Sequence, residues 1–540
     1  MPGSLKIVGT GFSISGQMTP EALACVREAD QVLHILSDPA TTAWLERIRP
    51  DAKTLTALYD EGKNRHITYE EMTETMLEPA REGQSVCVAF YGHPGVFVTP
   101  SHAAKRAADA EGLAARMLPA LSAESCLFAD LGVDPVARGC HSFEATQFLL
   151  RGCPVETASS MVLWQIGSVG VSDYRNSVLW SREGLRVLTD ALLDHYPSDH
   201  EVVVYEASQF PIADPLILPL ALADLAEAEV SVVSTLFIPP LAPAAVDDAG
   251  WEHIQDVLGE RACPSVPFDR SVAILPPAPR PAAKGGSFQA IGLGYGLAGH
   301  LTPQGRAALE RADQVFYLVS DPIQGAWLQK LRPDAEALHP LYGENNTAKA
   351  FHAAMTERMI TAVETGKNVC FAVTGHPSIV VPPALETARD ARLAGHRAQV
   401  IPGVSIEDCL IAELGFDPGM SGRMIYDATD FLLRPRQLDP TAALVLLQAG
   451  TLGEHRYRET TDADPGAIAA LTAALRFHYP ADHEVVIYET AREPFGQTRL
   501  DRVTLGQLVE TELSVISTLY LPPIGPYERD HTMAERLGLL

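Results

Sequence analysis

The chain has 540 residues, of which 46% are hydrophobic and 20% charged, and its formal net charge is −27. This length exceeds one ordinary core and favours roughly three to four domains, while the composition is typical of a soluble globular protein. So acidic a surface disfavours nucleic acid and anionic membranes as partners, because both are bound mainly through Lys and Arg. An anionic substrate would need a local basic pocket.

Short apolar, β-branched runs alternate with helical patterns along the first half of the chain. The runs predict buried strands at residues 6–11, 85–92, 161–167, 201–207 and 230–238. This alternation predicts an α/β architecture with largely parallel sheets, in which two lobes enclose a cleft.

A glycine turn follows the first strand. Gly9 and Gly11 precede a helix that Thr19 is expected to cap, so backbone N–H groups could meet a ligand there. The pattern is weak, because a plain tight turn explains it equally well.

The most reactive side chains of the first half lie in residues 58–72. Thr68 and Glu71 fit a capping box, which predicts a helix that begins at Tyr69. Tyr69, Met72 and Met76 are spaced to share one helix face, which by itself indicates a core tyrosine.

A second turn, Tyr-Gly-His-Pro-Gly-Val-Phe at residues 91–97, is a stronger signal. It follows a buried strand, and open α/β sheets bind ligands at the carboxyl ends of their strands. The competing interpretation is a structural turn with a hydrogen-bonded His93. Residues 121–125, Leu-Ser-Ala-Glu-Ser, begin a helix that could hold a polar ligand at its start.

The chain contains a tandem repeat with a constant offset of 283 residues. The run from Lys6 matches the run from Gln289, and the runs that begin at Ser231 and Ser514 are identical at 7 of 10 positions. We therefore predict a first copy at 1–240, a helical segment at 241–275, a semi-extended Pro/Ala/Gly linker at 276–287, a second copy at 288–524 and a tail at 525–540. The linker is expected to bury no core.

The repeat keeps its apolar residues but not its reactive ones. Arg65 and Tyr69 of copy one correspond to Ala348 and His352 of copy two. A tyrosine needed only for packing would more often be replaced by another apolar or aromatic residue, so the comparison favours a functional Tyr69.

The eight cysteines are scattered, without a metal-like cluster, and no metal is expected. Those in apolar runs, such as Cys87 and Cys370, are interpreted as buried reduced thiols of a cytoplasmic protein. The N-terminus lacks the apolar segment of a signal peptide, and prolines interrupt the longest apolar stretch, so we expect no membrane span.

The combined motifs IVGTG, LYDEGKNR followed by TY, FYGHPGVFVTPSH, ARMLPALSAESCLFADL, MVLWQIGSVG and STLFIPP resemble one family. They are similar to the α-N-methyltransferases of borosin biosynthesis, a branch of the tetrapyrrole (corrin/porphyrin) methylase superfamily. The resemblance covers residues 6 to about 240 and, more weakly, copy two.

The resemblance implies a two-lobed α/β fold that binds S-adenosyl-L-methionine between its lobes and methylates backbone amide nitrogens of a ribosomally made peptide. It also implies interlocked dimers in which each C-terminal segment clasps the partner. The implied catalytic residues are Tyr59, Arg65 and Tyr69. The implied cofactor-binding residues are Gly9, Gly11, Tyr91, His93, Val96, Phe97, Ser122, Ala123, Gln165, Ala207, Ser234 and Thr235.

These residue types suit amide methylation. An amide nitrogen is a poor nucleophile until its proton is removed or its carbonyl oxygen is stabilised as an anion. Arg65 is expected to stabilise that charge and to lower the pKa of a neighbouring tyrosine, and either Tyr59 or Tyr69 would then take the proton.

Copy two keeps Tyr342 in the place of Tyr59 but lacks the counterparts of Arg65 and Tyr69. We therefore expect it to be a degenerate lobe that serves copy one as an intramolecular partner; two chains pairing with each other is the alternative. Fungal members of the family carry their substrate peptide after the clasp. Here residues 531–540 resemble the clasp helix with nothing after it. A precursor peptide supplied in trans is therefore expected.

Two other functions compete with this one. A small-molecule tetrapyrrole methylase would share the fold and the cofactor, but the acidic chain argues against a substrate rich in carboxylates. A non-catalytic scaffold that binds cofactor or peptide would not need the intact Tyr59, Arg65 and Tyr69.

Overall fold

The computed structural model describes residues 3–13, 16–36, 38–152, 154–171, 181–210, 213–262, 274–278, 285–342, 347–454, 463–491 and 496–540. Within these residues the fold is α/β, as predicted, and each copy contributes two lobes. The predicted boundaries at 241–275 and 276–287 fall partly outside the described residues.

In the described residues, twenty strands build three sheets. They are β1 (Ser4–Gly9), β2 (Gln31–Ile35), β3 (Lys53–Thr54), β4 (Ser85–Phe90), β5 (Ala114–Met117), β6 (Cys140–Glu144), β7 (Ser160–Trp164), β8 (Glu201–Glu206), β9 (Leu216–Ala221), β10 (Thr235–Ile238), β11 (Ser287–Gly292), β12 (Gln314–Leu318), β13 (Glu336–Ala337), β14 (Asn368–Val373), β15 (Arg397–Ile401), β16 (Arg423–Asp427), β17 (Ala443–Leu447), β18 (Glu484–Glu489), β19 (Arg499–Thr504) and β20 (Thr518–Leu521).

The described α-helices cover the sheets. They are α1 (Pro20–Glu28), α2 (Pro39–Ile48), α3 (Arg65–Arg81), α4 (Thr99–Ala110), α5 (Ala123–Leu131), α6 (Ala145–Arg151), α7 (Arg182–Leu193), α8 (Asp248–Leu258), α9 (Leu297–His300), α10 (Pro303–Arg311), α11 (Pro322–Leu331), α12 (Ala348–Glu364), α13 (Pro382–Leu393), α14 (Ile406–Leu414), α15 (Pro418–Ser421), α16 (Ala428–Leu433), α17 (Pro465–Leu475) and α18 (His531–Arg536).

The first lobe of each copy contains a five-stranded parallel sheet. Its order is β3-β2-β4-β1-β5 in copy one and β13-β12-β14-β11-β15 in copy two. The prediction of parallel sheets is correct for these lobes. It is wrong for the second lobes, whose strands mix parallel and antiparallel pairs because hairpins such as β8–β9 form their edges.

Most predicted strands lie within one to three residues of the observed ones, but 230–238 does not. Only Thr235–Ile238 is a strand, whereas Val232 and Val233 are exposed in the preceding turn. Ser231 N–H donates to the Ser234 hydroxyl, and this hydrogen bond closes the turn. The predicted strand at 230–238 is therefore a turn followed by a short strand.

The start of α3 corrects a second prediction. Thr19 does cap α1, but Thr68 caps nothing, because α3 begins one turn earlier, at Arg65. Asn64 accepts a hydrogen bond from His66 N–H and is the actual cap. Tyr69 therefore lies inside the helix, one turn after Arg65.

The two copies share one ten-stranded sheet. Its order is β19-β18-β20-β17-β16-β6-β7-β10-β8-β9, so copy two supplies the first five strands and copy one the last five. The copies meet where β6 pairs antiparallel with β16, with His141 opposite Met424. His141 Nε2 also lies 2.6 Å from the Tyr426 hydroxyl.

A buried ion cluster lies beside this junction. The fully buried Arg423 pairs with Glu124 of copy one and, at 2.5 Å, with Glu407 of copy two. The two glutamates occupy equivalent positions of the repeat, but the counterpart of Arg423 in copy one is Cys140. One arginine therefore contacts acidic side chains from both copies, and this part of the interface is not symmetric.

Each copy also receives a C-terminal segment from the other. Asp247 N–H donates to Leu433 O at 2.8 Å, and the equivalent Asp530 N–H donates to Leu150 O at 2.7 Å. Helix α8 packs on α16 and α17 of copy two, while α18 packs on α6 of copy one. This exchange makes the two halves interlocked.

The described start of the connection between the copies contacts both of them. Leu275, the last residue of the predicted helical segment, is buried against α5, and its N–H donates to Leu131 O at 2.8 Å. Arg392 donates to Pro276 O at 2.8 Å, whereas residues 277 and 278 are exposed. Residues 279–284 lie outside the described part, so the linker stays a prediction.

The cysteines that the structure describes are free and buried, as expected for Cys87 and Cys370. No helix in the described part of the chain has the length and apolar character needed to cross a bilayer.

Replacing Arg423 with Met should lower the free energy of unfolding by roughly 3–5 kcal/mol, because it leaves two neighbouring buried carboxyl groups without a counter-charge. Differential scanning calorimetry would show this as a lower thermal midpoint. The matched control is R423M combined with E124Q and E407Q, which should recover most of the loss. An unchanged midpoint in R423M alone would contradict the role of the cluster.

The same cluster predicts a pH dependence of stability. Burial raises the pKa of the Glu407 carboxyl, Arg423 opposes this, and Glu124 adds to it. Because the folded state holds this proton more tightly than the unfolded chain, the stabilisation is complete below the ordinary glutamate pKa and is lost as pH rises through the raised pKa. We expect the thermal midpoint to fall from about pH 5 to about pH 8, between the ordinary glutamate pKa and the raised pKa of Glu407 of about 8, and expect Glu407→Gln to flatten that fall; equal slopes would refute it.

Candidate active site

The candidate site of copy one lies where strands end and two glycine turns meet. Gly11 N–H donates to Gly92 O at 3.3 Å, and Gly92 N–H donates to Gly11 O at 3.0 Å. A Cβ at Gly9 would lie 2.3 Å from Gly92 O. Gly9 and Gly11 are therefore required for the close approach of these turns, which brings the 91–97 loop over the end of β1.

Tyr59, Arg65, Tyr69 and Tyr91 form one cluster at the mouth of this cleft. Tyr59 is hydrogen-bonded to Tyr69 and interacts electrostatically with Tyr91 and Arg65. Tyr91 is 42% exposed, and its ring lies 6.3 Å from that of Phe12. The three predicted catalytic residues and one predicted cofactor-binding residue are thus brought together from separate segments.

The pKa values of this cluster differ from the expectation. Burial raises the pKa of Tyr59, and the neighbouring Tyr69 and Tyr91 raise it further, while Arg65 lowers it less. The pKa of Tyr91 is also raised, first by loss of solvation and then by Tyr69. The predicted lowering by Arg65 is present but is outweighed, so Tyr59 and Tyr91 remain protonated near neutral pH.

Glu144 is a member of the site that the sequence reasoning missed. It ends β6, opposite Trp164 in the register of β7, and its carboxylate accepts from Gln147 N–H at 2.7 Å. Burial raises the pKa of Glu144, while hydrogen bonds from Thr146 and Gln147 oppose that rise and the attraction of Arg65 opposes it less. Arg65 and Glu144 therefore interact electrostatically, without a direct ion pair among the described contacts, and the end position of Glu144 in its strand could have suggested its place near the site.

The second lobe supplies the remaining predicted residues. Gln165 follows β7 with φ 56°, a left-handed conformation that non-glycine residues rarely adopt, and Ile166 N–H donates to Ser234 O at 3.1 Å. Ser234 is buried and donates to Glu206, and Thr235 begins β10. Strain at an ordered non-glycine residue is typical of functional sites.

Ala123 and Ala207 are half-buried against the core cluster that contains Trp164. Ser122 caps α5 by accepting from Ser125 N–H at 3.1 Å. The role of these residues in binding a cofactor remains a prediction.

His93 is held entirely by the backbone. Gly95 N–H donates to its Nδ1 at 3.0 Å, and its Nε2 lies 3.0 Å from Asp408 O of copy two. Burial lowers the pKa of His93 to about 3, so the ring is neutral. A cofactor could touch only its carbon atoms, and the observed bonds agree with the competing interpretation of a structural turn.

Phe97 and Val96 form the outer part of the same loop. Phe97 has φ 59°, and its ring lies edge-on to Trp164 at 5.7 Å. Val96 lines a small cavity at the junction of the copies together with Ser122 and Ile379.

The cleft suits a cationic sulfonium in its chemistry. Aromatic faces from Phe12 and Tyr91 and the carboxylate of Glu144 are groups that stabilise positive charge. The residues predicted to hold S-adenosylmethionine lie at the end of β1, on the loop 91–97, at the start of α5, after β7 and β8, and at the start of β10.

Copy two fills the equivalent region with aromatic rings. The rings of Tyr342 and Phe351 are 4.2 Å apart, and those of Phe351 and His352 are 4.5 Å apart. Phe351 is buried where copy one has Thr68. The described part of copy two thus replaces the arginine–tyrosine cluster with packed rings.

The family of the chain follows from sequence comparison. The family described as Tetrapyrrole (Corrin/Porphyrin) Methylases matches residues 4–209 and 288–508, once in each copy. These two matches agree with the tandem repeat.

Curated relatives are fungal methyltransferases fused to peptide precursors. The dendrothelin A precursor protein of Dendrothele bispora is 44% identical over 245 residues, which cover 45% of this chain and 58% of that protein. The omphalotin A precursor protein of Omphalotus olearius is 44% identical over 45% of this chain and 59% of its own length. A type I borosin precursor protein of Coprinopsis marcescibilis is 39% identical over 49% of this chain and 70% of its own length.

The chain therefore spans less than three fifths of the length of the first two of these relatives. Among solved structures, uroporphyrin-III-C-methyltransferase from Thermus thermophilus aligns with 44% of this chain and 93% of its own, at 20% identity and a TM-score of 0.33. The double family match and the Coprinopsis relative establish that the chain belongs to the tetrapyrrole (corrin/porphyrin) methylases, in their borosin methyltransferase branch.

Proposed function

We propose that copy one is an S-adenosylmethionine-dependent methyltransferase that acts on backbone amide nitrogens of a ribosomally made precursor peptide supplied in trans. The observation that carries this proposal is the cluster of Tyr59, Arg65, Tyr69 and Tyr91 at the mouth of the copy-one cleft. The relatives' names, which join a methyltransferase to a ribosomal cyclic peptide precursor, support the peptide substrate.

Arg65 would stabilise the peptide carbonyl oxygen as negative charge moves onto it from the deprotonated nitrogen. Glu144 of the other lobe attracts Arg65, and this attraction is proposed to help orient the guanidinium. Bound S-adenosylmethionine supplies an electrophilic methyl group. Copy one then has to hold the amide nitrogen in line with that methyl and accept one proton.

Tyr69 is the proposed proton acceptor, and it has to act as a phenolate, because a neutral phenol cannot take up a proton near neutral pH. Burial, and then the neighbouring Tyr69 and Tyr91, raise the pKa of Tyr59, so Tyr59 keeps its proton. Tyr59 is accordingly proposed to donate a hydrogen bond to the Tyr69 oxygen and to orient it.

Copy two is proposed to be a structural partner in an intramolecular pseudo-dimer. The shared sheet, the buried cluster around Arg423 and the exchanged segments 241–262 and 524–540 support that role. The packed rings of Tyr342 and Phe351 support the loss of methyl transfer from copy two. A cytoplasmic location is proposed because the described cysteines are free thiols.

Arg65→Ala should reduce methyl transfer by at least about a hundredfold, the usual effect of removing a donor that stabilises a developing oxyanion. The measurement is intact-mass analysis of short peptides encoded beside the gene and co-expressed with each variant. The matched control is Tyr342→Phe, the copy-two counterpart of Tyr59, which should leave the methyl increments unchanged.

Undiminished methyl increments in peptide mass with the Arg65→Ala variant would show that the catalytic site is not the Arg65 cluster of copy one. No increments with the native chain on any such peptide would refute the peptide substrate.

The two tyrosines should differ in the size of their effect on rate. Tyr69→Phe removes the proposed base and should lower kcat by about 10²–10⁴. Tyr59→Phe removes only the orienting hydroxyl and should lower kcat less, by a similar factor across pH 6–9, because the raised pKa of Tyr59 keeps it protonated there. A larger loss of kcat in Tyr59→Phe than in Tyr69→Phe would reverse the assignment.

A further inference from the structure

The loop 91–97 of copy one has a conformation that its own sequence does not favour. Phe97 has φ 59°, although a bulky side chain disfavours the left-handed region. Such a residue stays in place only when its surroundings fix it. The groups that fix Phe97 come largely from copy two.

Asp417 of copy two accepts a hydrogen bond from Phe97 N–H at 3.0 Å. This carboxylate is buried, and it also caps α15 by accepting from Gly419 N–H at 2.9 Å. The ring of Phe97 lies so close to Gly419 that an added Cβ there would be 2.5 Å from it. Copy two therefore holds both the backbone and the ring of this residue.

A second contact from copy two fixes the start of the loop. His93 Nε2 lies 3.0 Å from Asp408 O, and its other nitrogen accepts from Gly95 N–H. The loop is thus bound to copy two at both ends, through His93 and Phe97. The ring of Phe97 also faces Trp164 of copy one.

The contact is reciprocal, which provides an internal control. Asp134 of copy one accepts from Val380 N–H at 3.2 Å, and Val380 has φ 60°. Asp134 and Val380 are the counterparts of Asp417 and Phe97. Each copy therefore supplies the carboxylate that holds the equivalent loop of the other.

We infer that Asp417 is a positioning residue for the copy-one cleft, so that copy two takes part in cofactor binding by copy one through this carboxylate. The inference rests on the proposed function, which makes the 91–97 loop a wall of the cofactor site. It explains why copy two keeps this acidic residue although it has lost the arginine and the tyrosine of the reactive cluster.

The test compares Asp417→Ala with Asp134→Ala in the full chain. Each variant removes one carboxylate, one hydrogen bond to a left-handed residue and one local cap, so their general effects on folding are matched. We expect Asp417→Ala to weaken S-adenosylhomocysteine binding to copy one about tenfold, as loss of a hydrogen bond to a charged group does, and to raise the KM for S-adenosylmethionine with kcat within about twofold. Asp134→Ala should change neither quantity.

Binding to copy one can be observed selectively. Trp164 lies against Phe97, and its copy-two counterpart is Leu447. The part of the tryptophan fluorescence change that disappears in Trp164→Phe therefore reports the copy-one cleft. Asp417→Asn keeps a side-chain oxygen that can accept from Phe97 N–H, so it should restore most of the binding.

Gly419→Ala is an independent variant if Asp417→Ala fails to fold. The added methyl would displace the Phe97 ring from the copy-two side, and it should weaken the same fluorescence-monitored binding. Equal weakening by Asp417→Ala and Asp134→Ala, or unchanged binding in both Asp417→Ala and Gly419→Ala, would overturn the inference. If only Asp417→Ala weakens binding while no peptide is methylated by the native chain, the positioning role stands and the proposed peptide substrate fails.

Discussion

The pairing of the two copies depends on one buried arginine beside the strands at which they meet. Arg423 lies between Glu124 and Glu407, which are equivalent residues of the repeat, beside the antiparallel pairing of β6 with β16. A charge without access to water is tolerated only when it is paired. Two copies like copy one would bury two glutamates with no arginine between them. The cluster therefore requires that copy two contribute its arginine at this junction.

This pairing determines the shape of the candidate site. The loop at 91–97 is tied to Asp408 and Asp417, while the C-terminal segments are exchanged between the copies. Copy two could lose the reactive cluster without losing these contacts, because they are made by Asp408 and Asp417, which are distant in sequence from Ala348 and His352. Copy two can thus keep its fold and its contacts with copy one although it has lost the reactive residues.

The sequence predicted the parts of the fold that depend on local pattern. Apolar runs and the constant repeat offset predicted the two copies, most strands of the first copy and the cap at Thr19. Capping at Asn64 rather than Thr68 was missed because two plausible caps lie four residues apart, and side-chain packing decides between them. The antiparallel junction was also missed, since strand pairing between copies is set by contacts distant in sequence.

The reactive cluster could be predicted as a set, but its electrostatics could not. Comparison of the copies indicated Arg65 and Tyr69 without any structure. The effect of burial on the pKa of Tyr59 outweighs that of Arg65, and this balance requires coordinates. Glu144 and Asp417 are likewise ordinary acidic residues in the sequence, and only the fold brings them to Arg65 and Phe97.

The most direct test of the account is a crystal structure of the full chain with S-adenosylhomocysteine and a methylated neighbouring peptide. The account predicts that the peptide lies in the copy-one cleft, with its carbonyl oxygen at Arg65 and the amide nitrogen beside Tyr69. A peptide bound in the cleft of copy two, next to Tyr342 and Phe351, would contradict the assignment of methyl transfer to copy one.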